Sequence, residues 1–440
     1  MVYGQSLASG QQTCPPLSTI NYKGNLMLGE YEWTSLGANL QNVLSPMYAR
    51  CIEYSQEEAE AATKSDQAVA ESPGINFANA SKKLLDDYVV NMVDRKFMII
   101  NAAVGGLSIE LLSKDCPNTS AIYYAKMIAA LNKAKQLADT AGKTIKCCSV
   151  IWMQGEWNGK AYANQGWTTG TSATNSKNNY KALLIGGTTS DNIQHNGLIN
   201  DITIDIKTIF GQVDSPIFIE TQTAINTNQT FDMPIDMALL EASHENKQLF
   251  LAGSSYMVPN RGTHLDPNGS RWMGEFFAKV YYHVMYRGKK WEPLQPLYIK
   301  KNTNNIHIGF NVVNQPLQFN TNQVQAISDY GFQVRDGGTV KTIDSITISA
   351  NEVILTFSSS FTGDLEIAYA PNTLEYGNLC DCDTWNSFEK YEELPTQLKP
   401  SREPLGLDSE VLYNKHYPMN NFSVKFYYRM SASQDYMSII

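Results

Sequence analysis

The chain has 440 residues, with 34 Lys and Arg against 43 Asp and Glu, a net charge of −9 and six histidines. With 43% hydrophobic and 18% charged residues it can bury a full core, which excludes a disordered chain, and its length predicts two or three domains. The acidic balance argues against nucleic acid or an anionic membrane surface as partner, since both need clustered positive charge. No apolar run of roughly 18 residues is present to cross a bilayer.

Tyr3-Gly4-Gln5-Ser6-Leu7-Ala8 sets a serine directly after a Gly-Gln pair, among small residues. Such a stretch suits a sharp strand-to-helix turn that stands the hydroxyl clear of the backbone, although most such serines are caps or turn residues. Only three residues follow Met1 before Gln5, so the strand that would end at this serine is nearly missing. The expectation is a fragment of a longer polypeptide, attached elsewhere through its upstream part. The N-terminus also lacks a charged region followed by an apolar one, so no signal peptide is expected.

Residues 11–46 read as loop, 46–70 and 78–94 as helices, and 97–101 as a short strand buried on both faces. Residues 118–142 read as an amphipathic helix opened by Asn118-Thr119-Ser120, and 145–153 as the next buried strand. The polar stretch 159–180, with Trp167 near its middle, reads as a long loop shaping a substrate groove. Helix 189–210, strand 216–220, helix 234–246, strand 249–252 and helix 269–287 complete an α/β alternation, which predicts a parallel, doubly wound sheet.

From about residue 290 the apolar period becomes two. Short runs across 297–370, separated by turns such as Arg335-Asp336-Gly337-Gly338, predict a small all-β, sandwich-like module. Residues 380–440 are irregular and aromatic, with 422–428 a strand. The expected division is 1–289, 290–380 and 381–440, the last packing on the rest. Seven cysteines, an odd number in a large chain, argue against a disulfide framework. Cys147 and Cys148 should face opposite sides of a strand, and Cys380-Asp381-Cys382 has no neighbouring ligand to complete a metal site.

An acyl-transfer site needs a nucleophile, a base and donors for the developing oxyanion. Ser6 is the candidate nucleophile. Among six histidines, His264 alone sits in a loop opening onto a helix at the end of the α/β part, which makes it the candidate base. Gly105 and Gly106, in Asn101-Ala102-Ala103-Val104-Gly105-Gly106-Leu107-Ser108, offer backbone N–H groups in a turn; Gln154, in Trp152-Met153-Gln154-Gly155-Glu156, offers an amide.

Ser, Gly, amide and His in this order resemble the four blocks of the SGNH (GDSL-like) hydrolases, over roughly residues 1–288. The Gly-Gln-Ser and Gln-Gly-Glu stretches resemble its carbohydrate O-acetylesterase branch, and Ser6–Gly10 with 24–29 resembles esterase domains of bacteriophage tail proteins. The resemblance implies a three-layer α/β fold, removal of O-acetyl groups from a polysaccharide without cofactor, and Ser6, Gly106 and Gln154 as oxyanion hole. It further implies a virion setting after assembly in the bacterial cytoplasm, and a homotrimer. Trp157 and Trp167 are candidates to stack on sugar rings. One departure stands out: the family's acid precedes the histidine by three residues, where this chain has Arg261. Glu156, Asp266 or a backbone carbonyl could take its place. The rival readings are a glycan-binding adhesin on the same fold, favoured by Arg261, and a bacterial sialate or xylan acetylesterase.

Overall fold

The structure, a computed structural model, describes residues 1–29, 43–50, 69–89, 94–115, 121–160, 173–224, 230–394 and 412–440. At its centre lie strands β1 (Val2–Gly4), β2 (Ser149–Met153), β3 (Ile217–Gln222) and β4 (Leu249–Ser254), parallel and in that order. On the other side of β1, Asn101 bridges Val2 in parallel; Val2 N–H donates to the Ile100 carbonyl and Ala102 N–H to the Val2 carbonyl, both at 2.9 Å. The three-residue β1 is therefore an interior strand. With both edges bonded and both faces covered, three residues suffice to hold it.

Helices α1 (Ser6–Ser9), α2 (Pro73–Tyr88), α3 (Ile122–Thr140), α4 (Ala173–Ile185), α5 (Leu198–Phe210), α6 (Pro234–Glu245) and α7 (Pro267–Met285) accompany the sheet. Alternate strand residues enter opposite layers. Val2, Ile151 and Ile219 join Ile75 of α2 and Phe277 of α7 in one core, while Tyr3, Trp152 and Phe218 join Leu131 of α3 and Ile202 of α5 in another. The result is the expected α/β arrangement of helices on both faces of a parallel sheet.

Several bounds differ from those the sequence predicts. Helix α2 starts at Pro73, earlier than the expected 78, because Ser72 Oγ caps it (accepting from Gly74 N–H at 3.1 Å) and proline takes its first turn. Helix α4 occupies the second half of the expected 159–180 loop; its polar composition hides an apolar stripe, with Tyr180, Leu183 and Leu184 all buried. The expected helix 189–210 begins only at Leu198, and a hairpin of Gly187–Thr188 with Gln194–His195 precedes it. Of the expected helix 46–70, residues 51–68 lie outside the described residues.

Among its described residues the C-terminal part is built on two larger antiparallel sheets, with two two-stranded antiparallel pairs beside them (Gln318–Phe319 with Leu379–Cys380, and Asn386–Lys390 with His416–Pro418). Strands β5 (Pro296–Lys301), β6 (Asn305–Phe310), β7 (Phe332–Asp336), β8 (Thr339–Lys341), β9 (Ser345–Ser349), β10 (Glu352–Thr356), β11 (Leu365–Tyr369), β12 (Phe426–Met430) and β13 (Tyr436–Ser438) pair as β9-β10-β6-β5-β13 and β8-β7-β11-β12. Ile308 and Leu355 of one sheet share a core with Val334, Ile367 and Phe426 of the other. The final segment thus supplies one strand to each larger sheet. Cys147 is buried and Cys148 exposed, but both precede β2, which starts at Ser149 and not at the expected 145.

Candidate active site

In an open parallel sheet the crevice beyond the carboxyl ends of the strands is where ligands bind, and Ser6 leaves the sheet there. Gly4 ends β1 at φ 140°, and a Cβ on it would lie 2.1 Å from the Met153 carbonyl oxygen, so only glycine lets β1 approach β2 this closely. Gln5 is extended and donates its N–H to that same oxygen at 2.9 Å. Ser6 opens α1, so its own N–H has no intrahelical acceptor.

His264 arrives on a hairpin. Asn260–Arg261 pairs with His264–Leu265 around a two-residue turn, with Arg261 directly opposite His264. The His264 Nε2 atom lies 2.8 Å from Ser6 Oγ, and Nδ1 lies 2.9 Å from Gln12 Oε1. Side chains of opposed residues leave a hairpin on the same face. Arg261 accordingly reaches the same loop as His264, where its Nη1 donates to the backbone carbonyls of Gln12 at 2.5 Å and Cys14 at 2.9 Å. Asp266 caps α7, its Oδ1 accepting from Gly269 N–H at 2.6 Å.

Gln12 is the neighbour of His264 that sequence reasoning missed. No spacing links residues so far apart in the chain, and a glutamine two residues past a glycine reads as loop. Its one local mark is structural: φ is 65°, a left-handed conformation costing a non-glycine residue about 1–2 kcal/mol.

The glycine turn meets Ser6 from the other side. A Cβ on Gly105 would lie 3.5 Å from Ser6 Cβ, whereas one on Gly106, at φ 71°, would meet nothing within 4 Å. Gly105 therefore packs against the serine and Gly106 faces open space beside it. Val104 N–H, bonded to the Gly4 carbonyl at 2.9 Å, ties this turn to the end of β1.

Gln154 is placed differently from the expectation. Its Nε2 donates to Asn158 Oδ1 at 2.6 Å and the Leu107 carbonyl at 3.1 Å, with Gln5 Oε1 at 3.3 Å, while its Oε1 accepts from the Tyr180 hydroxyl at 2.8 Å. An amide nitrogen has two hydrogens, and both have internal acceptors. Gln154 is a brace beneath the Gly105–Gly106 turn, not a donor facing outward.

Glu156 is buried: its Oε1 accepts from Ala224 N–H at 3.0 Å, just past β3, and burial pushes its carboxyl above the usual range. It braces that loop. Trp157 is half-buried, with its backbone N–H on Gln5 Oε1 at 3.2 Å; Trp167 lies outside the described residues. Deeper, Glu220 of β3 is fully buried with neither carboxyl oxygen bonded, and desolvation raises its pKa well above the ordinary value. Among the described residues no group of three or more His, Cys, Asp or Glu is placed to hold a metal ion.

A parallel sheet between helices, a serine at the carboxyl end of strand β1 and a histidine 2.8 Å from it define an α/β fold with a serine–histidine pair. No protein-family model matches the sequence, and none of the curated proteins is similar to it at significance. The chain does resemble solved structures. A carbohydrate acetylesterase from Xanthomonas citri aligns with a TM-score of 0.53 at 15% identity, over 87% of this chain and 80% of that one. A protein from Arabidopsis thaliana gives 0.41 at 16% identity over 64% and 96%, and NanS gives 0.42 at 11% over 66% and 98%. At these identities the first likeness carries the fold.

Proposed function

We propose that the protein is a serine esterase that removes acyl groups, acetyl above all, from the hydroxyls of a carbohydrate. The observation that carries this reading is the 2.8 Å contact of His264 Nε2 with Ser6 Oγ beside a glycine turn. The shared fold with a carbohydrate acetylesterase supports the choice of substrate class.

In this reading His264 Nε2 takes the Ser6 hydroxyl proton as Oγ bonds to the acyl carbonyl carbon. The carbonyl oxygen becomes an oxyanion, which the N–H groups of Ser6 and Gly106 stabilise. A preorganised donor of this kind contributes about 3–4 kcal/mol. The tetrahedral intermediate collapses as the carbon–oxygen bond to the sugar breaks, and imidazolium returns the proton to the departing hydroxyl. Water, deprotonated by His264, then attacks the acyl carbon of the Ser6 ester; the bond to Oγ breaks, imidazolium returns the proton to Oγ, and the carboxylic acid leaves. Gln154 acts indirectly, by holding the Leu107 carbonyl and so the aim of the Gly106 N–H. The narrower setting, a bacterial surface polysaccharide met by a phage tail protein, rests on the likeness of Ser6–Gly10 and 24–29 to such esterase domains.

The test is hydrolysis of p-nitrophenyl acetate by wild type, Ser6→Ala and His264→Ala. Wild type should turn over and each variant should fall by about a thousandfold or more. Equal rates for wild type and Ser6→Ala would end the esterase reading and leave a binding protein on a hydrolase fold.

A further inference from the structure

We propose that Gln12 is the positioning residue for His264, its side-chain carbonyl standing where a triad carboxylate would stand, and that Arg261 holds Gln12 there through the backbone. The proposal rests on the reading of Ser6 and His264 as nucleophile and base.

The hydrogen-bond roles follow from donor chemistry. An amide oxygen only accepts, so the His264 nitrogen 2.9 Å from Gln12 Oε1 is the one that carries the ring hydrogen. A neutral imidazole has a single N–H. Fixing it at Nδ1 leaves the Nε2 lone pair facing Ser6 Oγ at 2.8 Å, as a base must. The Nδ1 hydrogen points along one direction in the ring plane, and Gln12 occupies it. Gln12 thus selects the tautomer and the ring orientation, the two services an aspartate gives in a triad, without bringing a charge.

Gln12 is built into position. It is buried and held at φ 65°, and Arg261 Nη1 bonds its carbonyl and that of Cys14. The next residue is pinned as well: Thr13 Oγ1 donates to the Gly10 carbonyl at 2.5 Å and accepts from Glu71 N–H at 2.7 Å. Because Arg261 and His264 face each other on one hairpin, the base and the clamp on its positioning residue are displaced together or not at all. This gives the arginine three residues before the histidine a task that needs no contact with the imidazole.

A neutral partner has a consequence that a merely structural role lacks. Replacing the amide by a carboxylate puts a negative charge on Nδ1–H, which favours imidazolium and raises the pH at which His264 becomes a free base. The experiment is the pH profile of kcat/KM for p-nitrophenyl acetate with wild type, Gln12→Leu, Gln12→Glu and Ser6→Ala, each checked for a cooperative melt. Gln12→Leu keeps size and removes the acceptor, and should lower kcat/KM by about a hundredfold through lost orientation. Gln12→Glu should recover most of the rate and move the acid limb upward by about one pH unit. If Gln12→Leu fails to fold, the limb shift in Gln12→Glu decides alone. An unshifted limb, or a Gln12→Leu rate equal to wild type, overturns the proposal while wild type and Ser6→Ala still differ. Wild type no faster than Ser6→Ala overturns the esterase reading, and this proposal with it.

Discussion

Glu220 carries a clear pH consequence at the scale of one residue. Its carboxyl sits inside the sheet with neither oxygen bonded, and desolvation alone lifts its pKa above the ordinary 4.5. Above about pH 4.5 the unfolded chain has released this proton while the folded chain still holds it. The folded state then binds more protons, so stability falls as pH rises, until the raised native pKa is passed. Glu220→Gln keeps the shape and removes the ionisation. The variant should melt at least ~2 °C above wild type at pH 8, and the advantage should disappear by pH 4. A variant destabilised equally at both pH values would show that the carboxyl has a partner. Glu275, pushed up to about 8 by burial, has the same sign in both proteins and cancels from the comparison. The meeting of Ser6 with His264 and with the Gly105–Gly106 turn was legible at this scale because each sits in a short motif whose order is informative. Gln12 was not, because its position depends on a loop conformation and on Arg261, which sequence alone presented as an obstacle.

Among the elements, α2 and α7 pack with their backbones close. A Cβ on Gly274 of α7 would lie 2.5 Å from the Pro73 carbonyl oxygen and 2.8 Å from Asn76 Cβ on α2. Helices joined this tightly cannot take an added methyl without separating, and overpacking costs about 1–3 kcal/mol. Gly274→Ala should therefore lower the melting temperature by several degrees in thermal unfolding, with the rate on p-nitrophenyl acetate per folded molecule equal to that of wild type at 25 °C. An unchanged melt would mean the helices have room that the geometry denies. The strands of the sheet were legible because runs such as 150–153 are apolar without interruption, the mark of burial on both faces, although the expected start at 145 was four residues early, β2 beginning at Ser149. Helix α4 was not, since its polar residues outnumber the buried stripe of Tyr180, Leu183 and Leu184. The hairpin before α5 was missed for a related reason: apolar period shows where a helix can run, and Gly197, at φ 91°, decides where it starts.

For the whole molecule, the change of texture near residue 290 marks where α/β gives way to β, yet the apolar core does not divide there. One cluster runs from Val2 through Phe276 to Ile308, Phe426 and Met430. Partners from beyond 380 complete α7: Trp272 stacks on Tyr417 with centroids 5.1 Å apart and donates Nε1–H to the Pro418 carbonyl, Arg271 bonds Glu389 and Glu392, and Lys279 bonds Asp383 and the Met419 carbonyl. Near the site, Lys425 exchanges bonds with the Gln222 side chain at the end of β3, and its Nζ donates to the Thr223 and Ala224 carbonyls. Ala224 is the residue whose N–H holds Glu156, so the β module is bonded to the loop that flanks the Gln154 brace. A chain cut at 289 would expose Trp272, Phe276 and Tyr256 to water and would strip Arg271 and Lys279 of the carboxylates they bond. Residues 1–289 expressed alone should therefore be insoluble or melt without cooperativity, and the full chain should unfold in a single calorimetric transition. Soluble, active 1–289, or two separated transitions in the full chain, would show that the two parts are independent and that the contacts across α7 serve only to orient them.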